Sequence, residues 1–312
     1  MKIYKLMVAT MLLIVYQTGA STEMTTQTYD SKNLTGLAES STVTFAAPGS
    51  LLVTQGETAF LEVSGDAEVL ARLSVAIDKG HLTISLPKRR LGLTKDSVDV
   101  RLTLPTPKNI INSGSGNIQL HTISGAALNL SSVGSGELVA KRLKTDLLTL
   151  DLNGSGKLRF DNITATDMTF TRSGSADSSF NKVTTQRFKL FSKGSGDTRI
   201  SHLQTQSATF SLDGSGDVYV SGDQFASEQN IAIKGAGEFY GRDFKSQVAN
   251  VNLNGGGIVE VHAAESIKAS SNGAGDIRYY GEPAKVETQI KGSGTIVSGA
   301  LYSSEPSMAA NQ

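Results

Sequence analysis

Apolar and polar residues alternate along much of this chain in short runs, and the runs recur. Leu148, Leu150 and Leu152 alternate with Thr149 and Asp151, and Leu158 and Phe160 alternate with Lys157 and Arg159. A period of two predicts strands with one buried face. Between these runs lies Gly154-Ser155-Gly156, and the arrangement repeats around other Gly-small-Gly triplets. Counted from the end of a triplet, positions +2 and +4 are mostly apolar: Ile118 and Leu120, Leu138 and Ala140, Val218 and Val220, Val259 and Val261. Counted back from its first glycine, positions −6, −4 and −2 are again mostly apolar, as in Ala208, Phe210 and Leu212. A third apolar point recurs at +7: Ile123, Leu143, Ile163, Val183, Leu203 and Phe244. Each unit therefore predicts a strand, a corner, a short segment and a second strand, with the glycines turning the chain into the next unit.

The triplets or close variants begin at Gly114, Gly134, Gly154, Gly174, Gly194, Gly214, Gly235, Gly255, Gly273 and Gly292, at gaps of 20, 20, 20, 20, 20, 21, 20, 18 and 19 residues. Such a period signals a repeat architecture. A unit of about 20 residues has no room for a helix, and its strands bury a face only by stacking on neighbouring units. Identical register makes the stacked strands parallel. The fold class is therefore all-β, a parallel β-helix or β-solenoid with one coil of about 20 residues per repeat. A propeller blade needs about 40 residues or more. Glycine at the corner is expected where φ is positive or where no Cβ fits. Ala176 and Gly256 are variants of the triplet.

Residues 112–300 form the regular array. Residues 29–111 lack the triplet but keep the alternation, as in Leu82, Ile84 and Leu86 or Val98, Val100, Leu102 and Leu104, and are expected to form an irregular N-terminal part of the solenoid, or cap. Lys88-Arg89-Arg90 falls in a turn beside Pro87. Residues 1–20 have the layout of a secretory signal: Lys2 and Lys5, a mostly apolar run from Leu6 to Tyr16, and Thr18-Gly19-Ala20 before the cut. Residues 21–28 are expected to be a short linker, and 301–312 a loose tail. The chain is expected to be exported, to the periplasm, the cell surface or the medium, with no membrane span after cleavage.

Charge adds an exclusion. The chain has 29 Lys+Arg against 29 Asp+Glu, and loss of Lys2 and Lys5 leaves a net charge of −2. That balance disfavours nucleic acid as a partner. The absence of cysteine removes disulfides, thiol nucleophiles and Cys-ligated zinc. No P-loop or HExxH motif is present, and the GxG motifs precede strands rather than helices.

Two columns carry candidate chemistry. At +1 stand Asp177, Asp197, Asp217 and Glu238, which stacking would place about 5 Å apart on the outside. Crowded carboxylates raise one another's pKa unless a cation or arginine intervenes. A calcium ladder is one reading, since that ion takes hard oxygen ligands. A glycosidase pair is a second, but a flat ladder offers no cleft. Turn acids in solvent are the favoured reading, because Asp suits turns. At +3 the outer face carries Arg199, Tyr219 and Tyr240, a patch suited to stacking on sugars or another protein, or simply to cross-strand pairing within the sheet. Neither column requires a cofactor.

The serial turns and their strands, GSGNIQL (114–120), GSGKLRF (154–160) and GSGDVYV (214–220), resemble bacterial secreted proteins of the head GIN domain family, the putative auto-transporter adhesins. SGDAEVL (64–70) and DKGHLTISLP (78–87) resemble that family's entry segments. The resemblance spans roughly residues 30–300. It implies a right-handed, pectin-lyase-like β-helix without established catalytic residues and with a role in adhesion. Right-handedness also follows the general bias of parallel crossovers. The sequence shows no C-terminal barrel, so self-export is not expected. The leading expectation is a non-enzymatic solenoid presenting sheet faces to a glycan or surface protein at the bacterial envelope. The alternatives are a polysaccharide lyase or glycosidase on the same scaffold, and an envelope scaffold that self-associates end to end through open terminal strands.

Overall fold

A computed structural model describes residues 24–30, 34, 37, 41–87, 96–222 and 224–299. The expected leader, residues 21–23 of the expected linker, Lys88-Arg89-Arg90 and the tail 301–312 lie outside these residues. The chain folds as a β-solenoid of about nine turns at a spacing of about 20 residues. It divides into two compact units, residues 1–165 and 166–312.

In the first unit, Asn117–Ser132 and Leu138–Asn153 run parallel with residues 20 apart side by side: Ile118 beside Leu138, Leu128 beside Leu148. An earlier coil, without the triplet, lies alongside. Its strands Ser41–Ala46 and Gly49–Gln55 pair parallel with Pro107–Asn112 and with Asn117–Ser132 respectively. Ala47-Pro48-Gly49 turns that coil, and Gly49 has φ of +114°. Alternation predicted the strands of the N-terminal part but not their direction. Phe60–Asp66 pairs antiparallel with both Met24–Tyr29 and Val98–Leu104. Ser74–Asp78 and His81–Ser85 form an antiparallel hairpin whose turn residues Lys79 and Gly80 have φ of 48° and 77°. Positive φ at both positions matches the right-handed twist of the flanking strands. The four-residue helix Ala67–Leu70 buries Val69 and Leu70. Met24–Tyr29, on the expected linker, is thus a paired strand, because Leu61 and Val63 opposite it belong to a buried row and the remaining edge accepts another strand.

In the second unit two ladders run parallel from coil to coil. One aligns Phe170, Leu190, Phe210, Ile231, Val251, Ala269 and Thr288. The other aligns Ser178, Thr198, Val218, Phe239, Val259, Ile277 and Ile296. Between them lies an apolar core in which Phe188 and Phe239 each pack against Phe210, with ring centroids 5.6 Å and 4.8 Å apart. The shortened 18-residue gap between Gly255 and Gly273 has a visible cause. The register slips between Gly241 and Lys245 and again between Ser246 and Val248, so the coil after them closes with fewer residues.

The glycine columns have two physical origins. In the second unit the first glycine of the triplet adopts positive φ, as at Gly194 (+111°) and Gly235 (+112°), a region that L side chains avoid. In both units the carbonyl one coil earlier already fills the place of a Cβ. A methyl on Gly134 would lie 1.8 Å from the Gly114 oxygen, and one on Gly194 would lie 2.2 Å from the Gly174 oxygen. That oxygen is fixed by use: the Gly194 carbonyl accepts from the amides of Ser215 and Gly216, both at 3.1 Å. The middle position is free of this, and a methyl on Gly256 would meet nothing within 4 Å.

Gly194→Ala is therefore expected to cost about 3 kcal/mol or more, from backbone strain and overlap. Gly256→Ala, which only narrows the unfolded ensemble, should be neutral or stabilising by up to about 1 kcal/mol. Chemical denaturation of both variants checks the contrast, and equal effects would refute it.

Candidate functional site

The triplet delivers its next residue to the outer rim of the corner, and there the acids of the +1 column line up. Their role begins with the backbone. The Asp177 carboxylate accepts the amide of Asp197 (3.1 Å), Asp197 that of Asp217 (3.1 Å), and Asp217 that of Glu238 (3.0 Å). Asn117 does the same for Glu137 at 2.8 Å in the first unit, and Asp276 for Thr295 at 2.9 Å in the second. An uncharged amide at one of these places shows that the position selects a short side-chain acceptor for the next coil's N–H. Asx side chains do this well because the oxygen sits close to their own backbone.

Crowding still has an electrostatic consequence. Burial pushes the Asp217 carboxyl up from its ordinary value, and the neighbouring charges of Asp197 and Glu238 push the same way, against the backbone hydrogen bond from Glu238. Among the described residues no group of three or more His, Asp or Glu side chains gathers where it could hold a metal ion. Calcium takes six to eight oxygens, whereas in this column each of Asp177, Asp197 and Asp217 has one oxygen committed to a backbone amide.

Beneath this rim sits Arg172, a residue the alternation pattern hid. It occupies the inward −2 position and is fully buried. Its guanidinium donates to the Ser192 hydroxyl and, at 3.1 Å, to the Ala176 carbonyl. Burial lowers its pKa, while the charges of Asp197 and Asp177 oppose the shift. Asn112 and Ser271, also at −2, donate to the carbonyls of Gly116 and Gly275 at 2.8 Å each. At Asn112, Arg172 and Ser271 the −2 side chain is thus a clamp on the turn carbonyl four residues ahead. For Arg172 the sequence signal was a charge on the inward row that carries Met168 and Phe170. A second unread signal was the threonine nine residues before a triplet. Thr145, Thr185 and Thr205 each donate to the carbonyl two residues on, at 3.0–3.1 Å, and hold the opposite corner.

The +3 column lies on the outer face of the second unit. Arg199, Tyr219, Tyr240, Glu260 and Arg278 stand side by side in parallel register. The Tyr219 and Tyr240 rings are stacked, centroids 4.9 Å apart and planes inclined by 9°. The Arg199 guanidinium lies 4.6 Å from the Tyr219 ring centre. Each phenol also reaches a rim acid: Tyr219 donates to Asp217 at 3.4 Å, and Tyr240 donates to Glu238. Tyr219 is pushed up in pKa chiefly by burial, and Tyr240 chiefly by its hydrogen bond to Glu238. The structure brings together Arg199, Tyr219 and Tyr240, as the spacing predicted, but both tyrosines are half-buried. Tyr219 is held between the Arg199 guanidinium and the Tyr240 ring.

The model of the family described as "putative auto-transporter adhesin, head GIN domain" matches residues 41–224 and 162–283. The chain belongs to the head GIN domain family. None of the curated proteins matches it. Among solved structures, a putative adhesin from Bacteroides fragilis NCTC 9343 is 19% identical with a TM-score of 0.37, covering 89% of this chain and 98% of that one. A putative adhesin from Parabacteroides merdae ATCC 43184 is 20% identical with a TM-score of 0.45, covering 88% and 95%. A putative lipid binding protein from Parabacteroides distasonis ATCC 8503 is 16% identical with a TM-score of 0.49, covering 88% and 96%. These likenesses say nothing of what this head GIN domain chain binds.

The rim acids give a prediction with a worked sign. A carboxyl whose folded pKa is raised stabilises the fold when protonated, and that contribution is lost as pH rises through the folded value. At neutral pH the ionised Asp217 carries an electrostatic cost that its hydrogen bond only partly offsets. Asp217→Asn keeps an acceptor for the Glu238 amide and removes the charge, so it should melt at or above the parent at pH 7 and lose the advantage on acidification. Asp217→Ala removes the acceptor and should cost about 1 kcal/mol. Thermal melts of the two variants between acid and neutral pH check this, and a destabilised Asn variant would refute it.

Proposed function

We propose that this chain is an exported, non-enzymatic adhesin of the bacterial envelope, and that it holds a glycan or a surface protein against the outer face bearing Arg199, Tyr219 and Tyr240. The stack of those three side chains carries the reading. Rings already fixed by stacking and by hydrogen bonds to Asp217 and Glu238 lose little rotational freedom when a ligand arrives, so their contacts translate into affinity. Tyr combines apolar area with a polar tip, which suits a hydroxyl-rich or peptide surface. Because both faces of Tyr219 and one face of Tyr240 are covered, the ligand meets ring edges, the remaining face of Tyr240 and the Arg199 guanidinium. Membership of an adhesin family supports binding as the activity. The signal-like layout of residues 1–20 supports export.

The test is binding of the purified chain to a glycan array and to bacterial surface proteins, before and after Tyr219→Ala with Tyr240→Ala. The double variant should keep its circular dichroism spectrum and lose binding about tenfold or more. Unchanged binding would reject this face. Turnover of an anionic polysaccharide abolished by Asp197→Ala would reject the non-enzymatic reading.

A further inference from the structure

The last long strand of the second unit, Lys285–Gly292, differs from every strand before it. It pairs in parallel with Ile258–Gly273 along one edge, and all eight of its residues are exposed. Its inward row should be core. Val286, Thr288 and Ile290 stand beside the buried Ile267, Ala269 and Ser271. Yet Val286 is 44% and Ile290 48% exposed. Among the described residues no further strand pairs with its other edge. An exposed edge with an apolar row is a template for another strand.

The order of residues on this edge says which strand fits. Read from either end about Thr288, the sequence is Lys-Val-Glu-Thr-Gln-Ile-Lys, nearly the same in both directions. We propose that the Lys285–Gly292 edge is the interface of a two-fold dimer, in which the strands of two copies pair antiparallel about Thr288. A two-fold axis perpendicular to the sheet keeps the inward rows of both copies on one side. Val286 then lies opposite Ile290 of the second copy, and Thr288 opposite its own equivalent, so two exposed aliphatic rows close into one core. On the outer face Glu287 lies opposite Gln289. Lys285 lies opposite Lys291, a like-charge pair that Glu287 offsets, since it holds Lys285 at 2.8 Å and is the diagonal neighbour of Lys291 in the second copy. A contact of this kind is isologous and closes at two copies. It therefore differs from the open-ended stacking that exposed terminal strands alone would suggest.

The pairing can be read by charge exchange. Sedimentation velocity of the purified chain over a concentration series should show a monomer–dimer equilibrium. Val286→Glu alone and Ile290→Lys alone should each weaken association about tenfold or more, because each sets a charge against an aliphatic residue. Both positions are exposed in the single copy, so circular dichroism and the melting temperature should hold. The double variant Val286→Glu with Ile290→Lys sets opposite charges face to face twice per dimer and should restore association. A monomer at all concentrations, growth beyond two copies, single variants that dimerise normally, or a double variant that does not recover would each overturn the proposal.

Discussion

Within each unit the fold rests on one contact: a glycine carbonyl of one coil lies where the Cβ of the next coil's glycine would be. In the second unit the oxygen is held there by amides of that next coil, so the close approach and the hydrogen bond are one event. Removing the side chain lets backbones meet at the corner and fixes the register of everything that follows. A slip of a single residue would send each inward row outward, exposing the phenylalanines. Glycine at the first position of the triplet is therefore a packing requirement, the last position takes alanine once, at Ala176, and the middle position accepts serine, alanine or glycine.

Once register is fixed, side chains of one kind fall into columns, and the columns do structural work before any functional work. The rim acids catch the next coil's amide, the threonines bind the opposite corner, and Asn112, Arg172 and Ser271 hold the turn carbonyl. These devices satisfy backbone groups that a sharp corner would otherwise leave unpaired. They also explain how a column of negative charges is tolerated: each of three carboxylates gains a hydrogen bond in exchange for sitting near its neighbours.

The outer face inherits the same order. Arg199, Tyr219 and Tyr240 meet because the second ladder places them one coil apart, and their stacking makes a pre-arranged surface rather than three independent side chains. Among the described residues the inward row of Lys285–Gly292 has no further coil beside it. Binding along the face and pairing at the end are consequences of one geometry, a ladder that offers side chains sideways and backbone groups at its last strand.

How far the sequence reached follows from what a period can and cannot encode. Strict alternation and the recurrence of glycine every 20 residues or so determined the strands, the parallel stacking and the membership of the +1 and +3 columns, because each is a matter of local spacing. The same spacing said nothing about strand direction in the N-terminal part, where alternation looks alike in parallel and antiparallel pairs; tertiary contacts made Phe60–Asp66 antiparallel. Nor could it say which atoms the rim acids would meet. Only the structure decided that they take backbone amides, that Arg172 lies buried beneath them, and that the two tyrosines turn their faces to each other. Those outcomes depend on side-chain direction and on distances between coils, which a one-dimensional repeat does not carry.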